Sequence, residues 1–108
     1  MNAREFVAAF RAEKDALLIQ YGDGAVTSVA KRIQSLNLPQ EKRDQLTSIL
    51  DDVLSDAFYT ILMGLDGAGS LGGVQQGYTI SDEAGNVITH WNDGEIEEHA
   101  FEAFQMRQ

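Results

Sequence analysis

Histidine and glutamate side chains stand at metal-ligating spacing near the end of the chain. Glu95, His99 and Glu102 fall at positions i, i+4 and i+7, which places them along one side of a helix, and both residue types bind divalent metals. The same spacing is typical of a solvated helix edge on which His99 hydrogen bonds to a glutamate, and we favour that interpretation. We interpret His90 as a half-buried strand residue.

The sequence therefore predicts no metal, no cofactor and no catalytic residue. A small enzyme or metal-dependent protein that uses His90, His99 and the nearby carboxylates remains the alternative. No serine has an obvious adjacent base, and a pair of catalytic carboxylates cannot be selected from so many acids by spacing alone.

A glycine-rich segment follows the pattern G-x-G-x-x-G over Gly67–Gly72. In dinucleotide-binding proteins this pattern leaves a strand and opens a helix, whose N-terminus binds the pyrophosphate. Here it follows a predicted helix and is itself followed by more glycines. Between positions 44 and 106 there is also no Lys or Arg to offset phosphate charge. We therefore interpret residues 64–77 as a connecting loop, and the sequence leaves open whether that loop has a function of its own.

Acidic residues dominate the second part of the chain. Twelve carboxylates and no Lys or Arg stand between Asp44 and Met106, whereas residues 1–43 hold seven bases and five acids, and the net charge of the chain is −9. A field of this sign repels polyanions and attracts basic partners. We expect no nucleic acid as a direct ligand, because neutralising phosphates requires clustered Lys and Arg and the eight bases are dispersed among seventeen acids.

Two acidic ridges follow from the predicted helices, one on the third helix and one on the last. One interpretation is a surface that only keeps the protein in solution. The sharper hypothesis is a docking face for a basic protein, of the kind an inhibitor or immunity-type protein uses. We predict that six residues bind this partner: Asp51, Asp52, Asp56, Glu95, Glu98 and Glu102.

Length and composition predict one soluble globular domain that spans residues 1–108. The chain is 44% hydrophobic and 23% charged, which suits one core. It contains no cysteine, so a reducing compartment is the simplest location. Charged residues interrupt the first twenty positions, which argues against a secretory signal or a membrane span. We expect a cytoplasmic protein that does not contact a membrane.

Three helices are predicted in the first two thirds of the chain. The first runs to about Gln20 and opens with the capping pair Asn2 and Glu5. The second uses Asp23 as its N-cap and stops before Pro39, which begins the third helix. The third helix carries a long apolar stripe, typical of a central core element. Its members are Leu46, Ile49, Leu50, Val53, Leu54, Ala57, Phe58, Ile61, Leu62 and Leu65.

A β-hairpin and a closing helix complete an α+β fold. The hairpin arms hold Tyr78 and Ile80 on one side and residues 87–89 on the other, with a turn over residues 82–86 in which Gly85 supplies positive φ. The sequence leaves open whether residue 87 or 88 faces the core. The last helix is capped by Asn92, with Asp93 and Glu95 in its first turn. Its inward residues are Ile96, Ala100, Ala103 and Phe104, with Phe101 at the flank.

An isolated two-stranded hairpin leaves two unpaired edges. We therefore expect the sheet to grow through another copy of the chain or through a further strand near residues 71–75. The first possibility predicts a homodimer. It also supports a second alternative for function, a structural homodimeric component that binds no small ligand.

Overall fold

Helices and a β-hairpin follow one another along the chain in the predicted order. The computed structural model describes residues 1–23, 26–90 and 93–106. These residues form the helices α1 (Ala3–Asp23), α2 (Ser28–Ser35) and α3 (Gln40–Asp66), the strands β1 (Ile80–Ser81) and β2 (Val87–Thr89), and the helix α4 (Glu95–Phe104). The α+β class and the long third helix are thereby confirmed. No helix in these ranges combines the length and apolar content that crossing a bilayer requires.

Polar side chains fix the starts of the first two helices. The N–H of Asn2 donates to Glu5 Oε1 over 3.0 Å, and the N–H of Glu5 donates to Asn2 Oδ1 over 2.8 Å, so the predicted capping pair is confirmed. Thr27 Oγ1 accepts from the N–H of Ala30 over 3.0 Å and caps α2. The predicted cap at Asp23 is wrong, because α1 continues to that residue.

The third helix continues through Gly64, although the loop was predicted to begin at that residue. Gly64 lies inside α3, and a Cβ atom there would come within 2.4 Å of Leu71 Cγ. Close packing against Leu71 offsets the usual cost of a glycine in a helix. The helix ends at Gly67, whose φ of 87° is left-handed, and the N–H of Ala68 donates to the carbonyl of Met63 over 3.0 Å.

A tight turn lies inside the glycine segment that follows α3. Gly72 and Gly73 have φ of 60° and 82°, a pair of positive values suited to a two-residue turn. Leu71 and Val74 exchange main-chain hydrogen bonds of 2.9 and 3.0 Å across it. Among the described residues this isolated bridge is all that forms near positions 71–75, and the sheet has two strands. The further strand suggested there does not extend the hairpin.

The hairpin turn and its register follow from two local features. Asp82 Oδ1 accepts from the N–H groups of Ala84 and Asn86 over 3.0 and 2.9 Å, and Gly85 has φ of 86°, as predicted. Ile80 pairs with Thr89 and Ser81 pairs with Val87, so the second strand contains a bulge. Ile88 and Thr89 are therefore both buried, at 5% and 1% exposure, whereas Val87 is 57% exposed.

The core lies where α1, α3 and α4 meet. Three aromatic rings cross it: the centroid of Phe58 is 6.0 Å from that of Phe10 and 6.3 Å from that of Phe104. The fully buried residues of this cluster are Ala3, Val7, Leu62, Ile96, Ala100 and Phe104. Leu62 is the one member of the predicted α3 stripe in this set, and Ile49 and Val53 are 57% and 55% exposed. Phe58 and Leu65 pack against this cluster, so the predicted stripe joins the core in part, while four of its ten members are exposed: Ile49, Val53, Ala57 and Ile61.

Candidate functional site

Helix α4 runs antiparallel to the second half of α3, because Asp66 contacts the first turn of α4 and Phe58 meets Phe104 near its end. A cleft of about 390 Å³ opens between the two helices on the solvent side. We call it the acidic cleft. Its lining consists of Tyr59, Gly94, Glu97, Glu98, Phe101, Glu102 and Met106.

The structure brings some of the six predicted partner-binding residues together and separates others. Glu98 and Glu102 lie in the acidic cleft, and Glu95 is the exposed first residue of α4. Asp52 and Asp56 are exposed on α3. They stand seven and three residues before Tyr59, spacings that place them on the same side of the helix as the cleft. Five of the six thus follow one side of the α3–α4 pair.

Asp51 is directed elsewhere, toward α1. Its Oδ1 atom lies 2.6 Å from Lys14 Nζ, and Lys14 is 2% exposed. Lys14 also contacts Asp15 over 3.0 Å, and the hydrogen bond from Lys14 lowers the pKa of Asp15 below its ordinary value. The side chain of Asp51 compensates a buried cation inside the fold. Reversing its charge would disturb the α1–α3 contact as well as the surface field.

The histidines are not placed for joint chemistry. His99 is half-buried and borders a cavity of about 210 Å³ together with Arg4 and Glu102. His90 is exposed and follows β2 instead of lying in it, so its interpretation as a half-buried strand residue is wrong; its Nδ1 atom lies 3.3 Å from Thr79 Oγ1. In the described parts of the chain, no three His, Asp or Glu side chains are close enough to hold one metal ion. The spacing of Glu95, His99 and Glu102 along the helix is therefore not accompanied by a metal-binding arrangement.

The apolar part of the acidic cleft was not predicted. Tyr59 is half-buried, while Phe101 and Met106 are 49% and 60% exposed. Aromatic and methionine side chains are enriched at protein interfaces, where charged rims surround them. One sequence signal for this was available. Phe101 lies off the inward face of α4 and between glutamates, which is an unusual position for a large apolar side chain.

A buried carboxylate joins α3 to the start of α4. Asp66 is 2% exposed and lies beside the N–H groups of Ile96 and Glu97 in the first turn of α4, and its Oδ1 atom has no hydrogen-bond partner among the described residues. The residue before α4, Gly94, has a φ of 76° and provides no side-chain cap. Asp66 therefore brings a carboxylate from another helix to the N-terminus of α4, where the helix dipole favours negative charge. The predicted cap at Asn92 lies outside the described residues.

Two opposing effects act on the carboxylates near this helix start. Burial raises the pKa of Asp66 above its ordinary value, and the negative charge of Asp93 adds to the rise. Desolvation alone would also raise the pKa of Asp93, but donors from His90, Glu95 and Thr89 outweigh it and hold the pKa of Asp93 low. Asp66 is thus the weaker acid of the pair.

Comparison with protein-family models finds no match to this chain, and comparisons with curated proteins and with solved structures find none either.

Proposed function

We propose that the protein is a non-catalytic binding module whose acidic cleft docks a segment of a basic protein, as an inhibitor or immunity-type protein does. The observation that supports this most directly is the lining of the cleft. Three carboxylates, of Glu97, Glu98 and Glu102, surround apolar groups of Tyr59, Phe101 and Met106. A partner segment that combines Lys or Arg with an apolar anchor complements such a surface.

The charges around the cleft favour a cationic occupant. Within the described ranges, no ion pair forms at Asp56 or at any glutamate of α4. Their side chains are exposed, so their field reaches solvent. Exposed charges act over a Debye length of about 8 Å at physiological ionic strength, so the ridge steers a basic partner during its approach.

The apolar groups supply short-range affinity that charge alone does not. Exposed ion pairs contribute little net free energy, whereas an aromatic side chain that becomes desolvated in a cleft often contributes most of the binding free energy. Phe101 is large and 49% exposed, so it has area left to bury on a partner. The lack of cysteine suits action in a reducing compartment such as the cytoplasm.

A peptide that alternates Arg and Leu, labelled with fluorescein, tests this proposal by fluorescence anisotropy. We expect Glu98→Lys and Phe101→Ala each to weaken binding by about tenfold or more, because each removes a group of the cleft. The association rate of the wild type should fall steeply as salt is added.

Glu83→Lys is the matched control, since it makes the same charge change at an exposed position in the hairpin turn, outside the cleft. Its affinity should stay within about twofold of the wild type, as expected for a distant surface charge. Equal losses in Glu83→Lys and Glu98→Lys, or an unchanged affinity in Phe101→Ala, would mean that the peptide senses only net charge and that the cleft is not its site.

A further inference from the structure

An apolar surface lies open to solvent along α3, on a side that the acidic cleft does not use. We call it the apolar face. Its members on α3 are Leu46, Leu50, Val53, Leu54, Ala57 and Ile61. All of them are half-buried or exposed, with Val53 at 55% and Ile61 at 42%. From Leu46 to Ile61 the face extends for about 22 Å along the helix.

A groove between α1 and α3 continues the apolar face. It has a volume of about 410 Å³ and is lined by Met1, Phe6, Ala9, Phe10, Glu13 and Phe58. Phe6 and Phe10 are half-buried, with ring centroids 5.1 Å apart. Of the residues that line the groove only Glu13 is charged. An exposed apolar surface of this length is uncommon on a monomer and marks an interaction site.

The acidic cleft and the apolar face occupy different sides of α3. Tyr59 borders the cleft and Ile61 belongs to the face. These residues are two positions apart, which separates their side chains by about 160° around the helix. One partner can therefore cover the face while the cleft stays open, and occupation of the face does not depend on the proposed function.

The distribution of charge along the molecule indicates which partner covers the apolar face. Helix α4 packs against the first half of α1, where Ala3 and Val7 meet Ala100 and Phe104. Helix α2 follows the other end of α1, which has 21 residues and is about 31 Å long. One end of the molecule thus holds the glutamates of α4. The opposite end holds four of the eight bases, Lys31, Arg32, Lys42 and Arg43, together with the acids Glu41 and Asp44, and it is far less negative than the first end; we call it the basic end.

We propose that a second copy of this chain covers the apolar face, with α3 packed antiparallel on its own equivalent around a two-fold axis between Val53 and Leu54, the midpoint of the face. Antiparallel pairing brings the basic end of each copy toward the acidic end of the other. Parallel pairing would bring the two acidic ends of chains with net charge −9 together. The α3 part of the face carries no charged side chain, so the copies can join there without desolvating a carboxylate.

The shape of the face also suits this arrangement. Its residues recur at steps of three and four, the ridge spacing that interlocks when helices pack, and the small side chain of Ala57 leaves room for Leu50 of the second copy. Helices α1 and α3 from each copy then form a four-helix bundle. The molecule is 47 Å long and 27 Å wide, which is enough for the roughly 800 Å² that each partner buries in a stable dimer.

Sedimentation equilibrium of the full chain tests the dimer. We expect the wild type to sediment as a dimer, and we expect Ala57→Glu to raise the dissociation constant of the dimer at least about tenfold, because it places a carboxylate against Leu50 of the other copy. Gln45→Glu is the matched control, because Gln45 is exposed on the cleft side of α3 and the charge added is the same. Circular dichroism should show equal helix content in all three proteins.

A monomeric wild type, or equal weakening by both variants, would overturn the proposal. The orientation is tested by single cysteines, which the cysteine-free chain allows. With oxidised glutathione as oxidant, Val53→Cys should form a disulfide-linked dimer and Leu46→Cys should not, because antiparallel helices separate the two copies of residue 46 by about 22 Å. Efficient cross-linking of Leu46→Cys would overturn the antiparallel arrangement.

Discussion

The carboxylate of Asp66 makes the stability of the α3–α4 contact depend on pH. Its pKa is raised above the ordinary 3.8 by burial first and then by the charges of Asp93 and Glu97, and the N–H groups of Ile96 and Glu97 oppose the rise. The folded state therefore binds the proton of Asp66 more tightly than the unfolded state does. This contribution to stability is fully present below pH 3.8 and is lost as pH rises through the higher folded pKa.

Asp66→Asn should remove this dependence, because the amide oxygen can still accept from α4 but the group no longer titrates. We expect the stability of the variant relative to wild type to increase as pH rises from about 4 to 7. Asp15, Asp82 and Asp93 have lowered pKa values, so both proteins should lose stability in acid. Only the difference in the free energy of unfolding between the variant and the wild type reports on Asp66. Urea denaturation at each pH measures it. A difference that does not change with pH would contradict the burial of a titrating carboxylate.

At the scale of elements, Gly64 joins the end of α3 to the glycine segment that follows. Alanine normally stabilises a helix by about 1 kcal/mol over glycine, but here its Cβ would lie 2.4 Å from Leu71 Cγ. We therefore expect Gly64→Ala to destabilise the protein by about 1–3 kcal/mol, as overpacking does. Urea denaturation of Gly64→Ala, Leu71→Ala and the double variant measures the coupling. Leu71→Ala should cost less in the Gly64→Ala background than in the wild type.

Gly22→Ala is the matched control for this prediction. Gly22 lies in the last turn of α1, and a Cβ there would meet no atom within 4 Å. The alanine should therefore leave stability unchanged or raise it by up to about 1 kcal/mol. If Gly64→Ala stabilises the protein as much as Gly22→Ala does, Leu71 does not pack against α3 as the structure shows.

These elements also mark what local sequence can and cannot predict. Element order, the Asn2 cap and the turn at Gly85 depend on residues close in sequence, and they were predicted. The continuation of α3 through Gly64 depends on Leu71, and the role of Asp51 depends on Lys14, 37 positions away. The apolar period of α3 predicted a helix with an apolar face, but periodicity does not reveal what covers that face. At the acidic cleft, the sequence predicted the row of carboxylates on α3 and α4, but it did not predict that Tyr59 and Phe101 lie among them.

At the scale of the whole molecule, the chain is extended and its core is small. The radius of gyration is 16.3 Å, compared with about 13 Å for a compact domain of this length. Burial concentrates at one end, where the core cluster joins α1, α3 and α4. Along the rest of their length, α1 and α3 are packed on one side only, and the other side of each helix faces solvent. A single copy therefore gains little hydrophobic stabilisation along that length, and a second copy would add most of what is missing.

The proposed dimer predicts that thermal stability depends on protein concentration. If folding and dimerisation are coupled, mass action favours the folded dimer at higher concentration, and the melting temperature should rise by roughly 3 °C for each tenfold increase. Differential scanning calorimetry from low to high micromolar concentration measures this slope. Ala57→Glu should melt at a lower temperature with little dependence on concentration, whereas Gln45→Glu should keep the wild-type slope. A wild type whose melting temperature does not change with concentration would show that the exposed length of α1 and α3 is stable in a single copy.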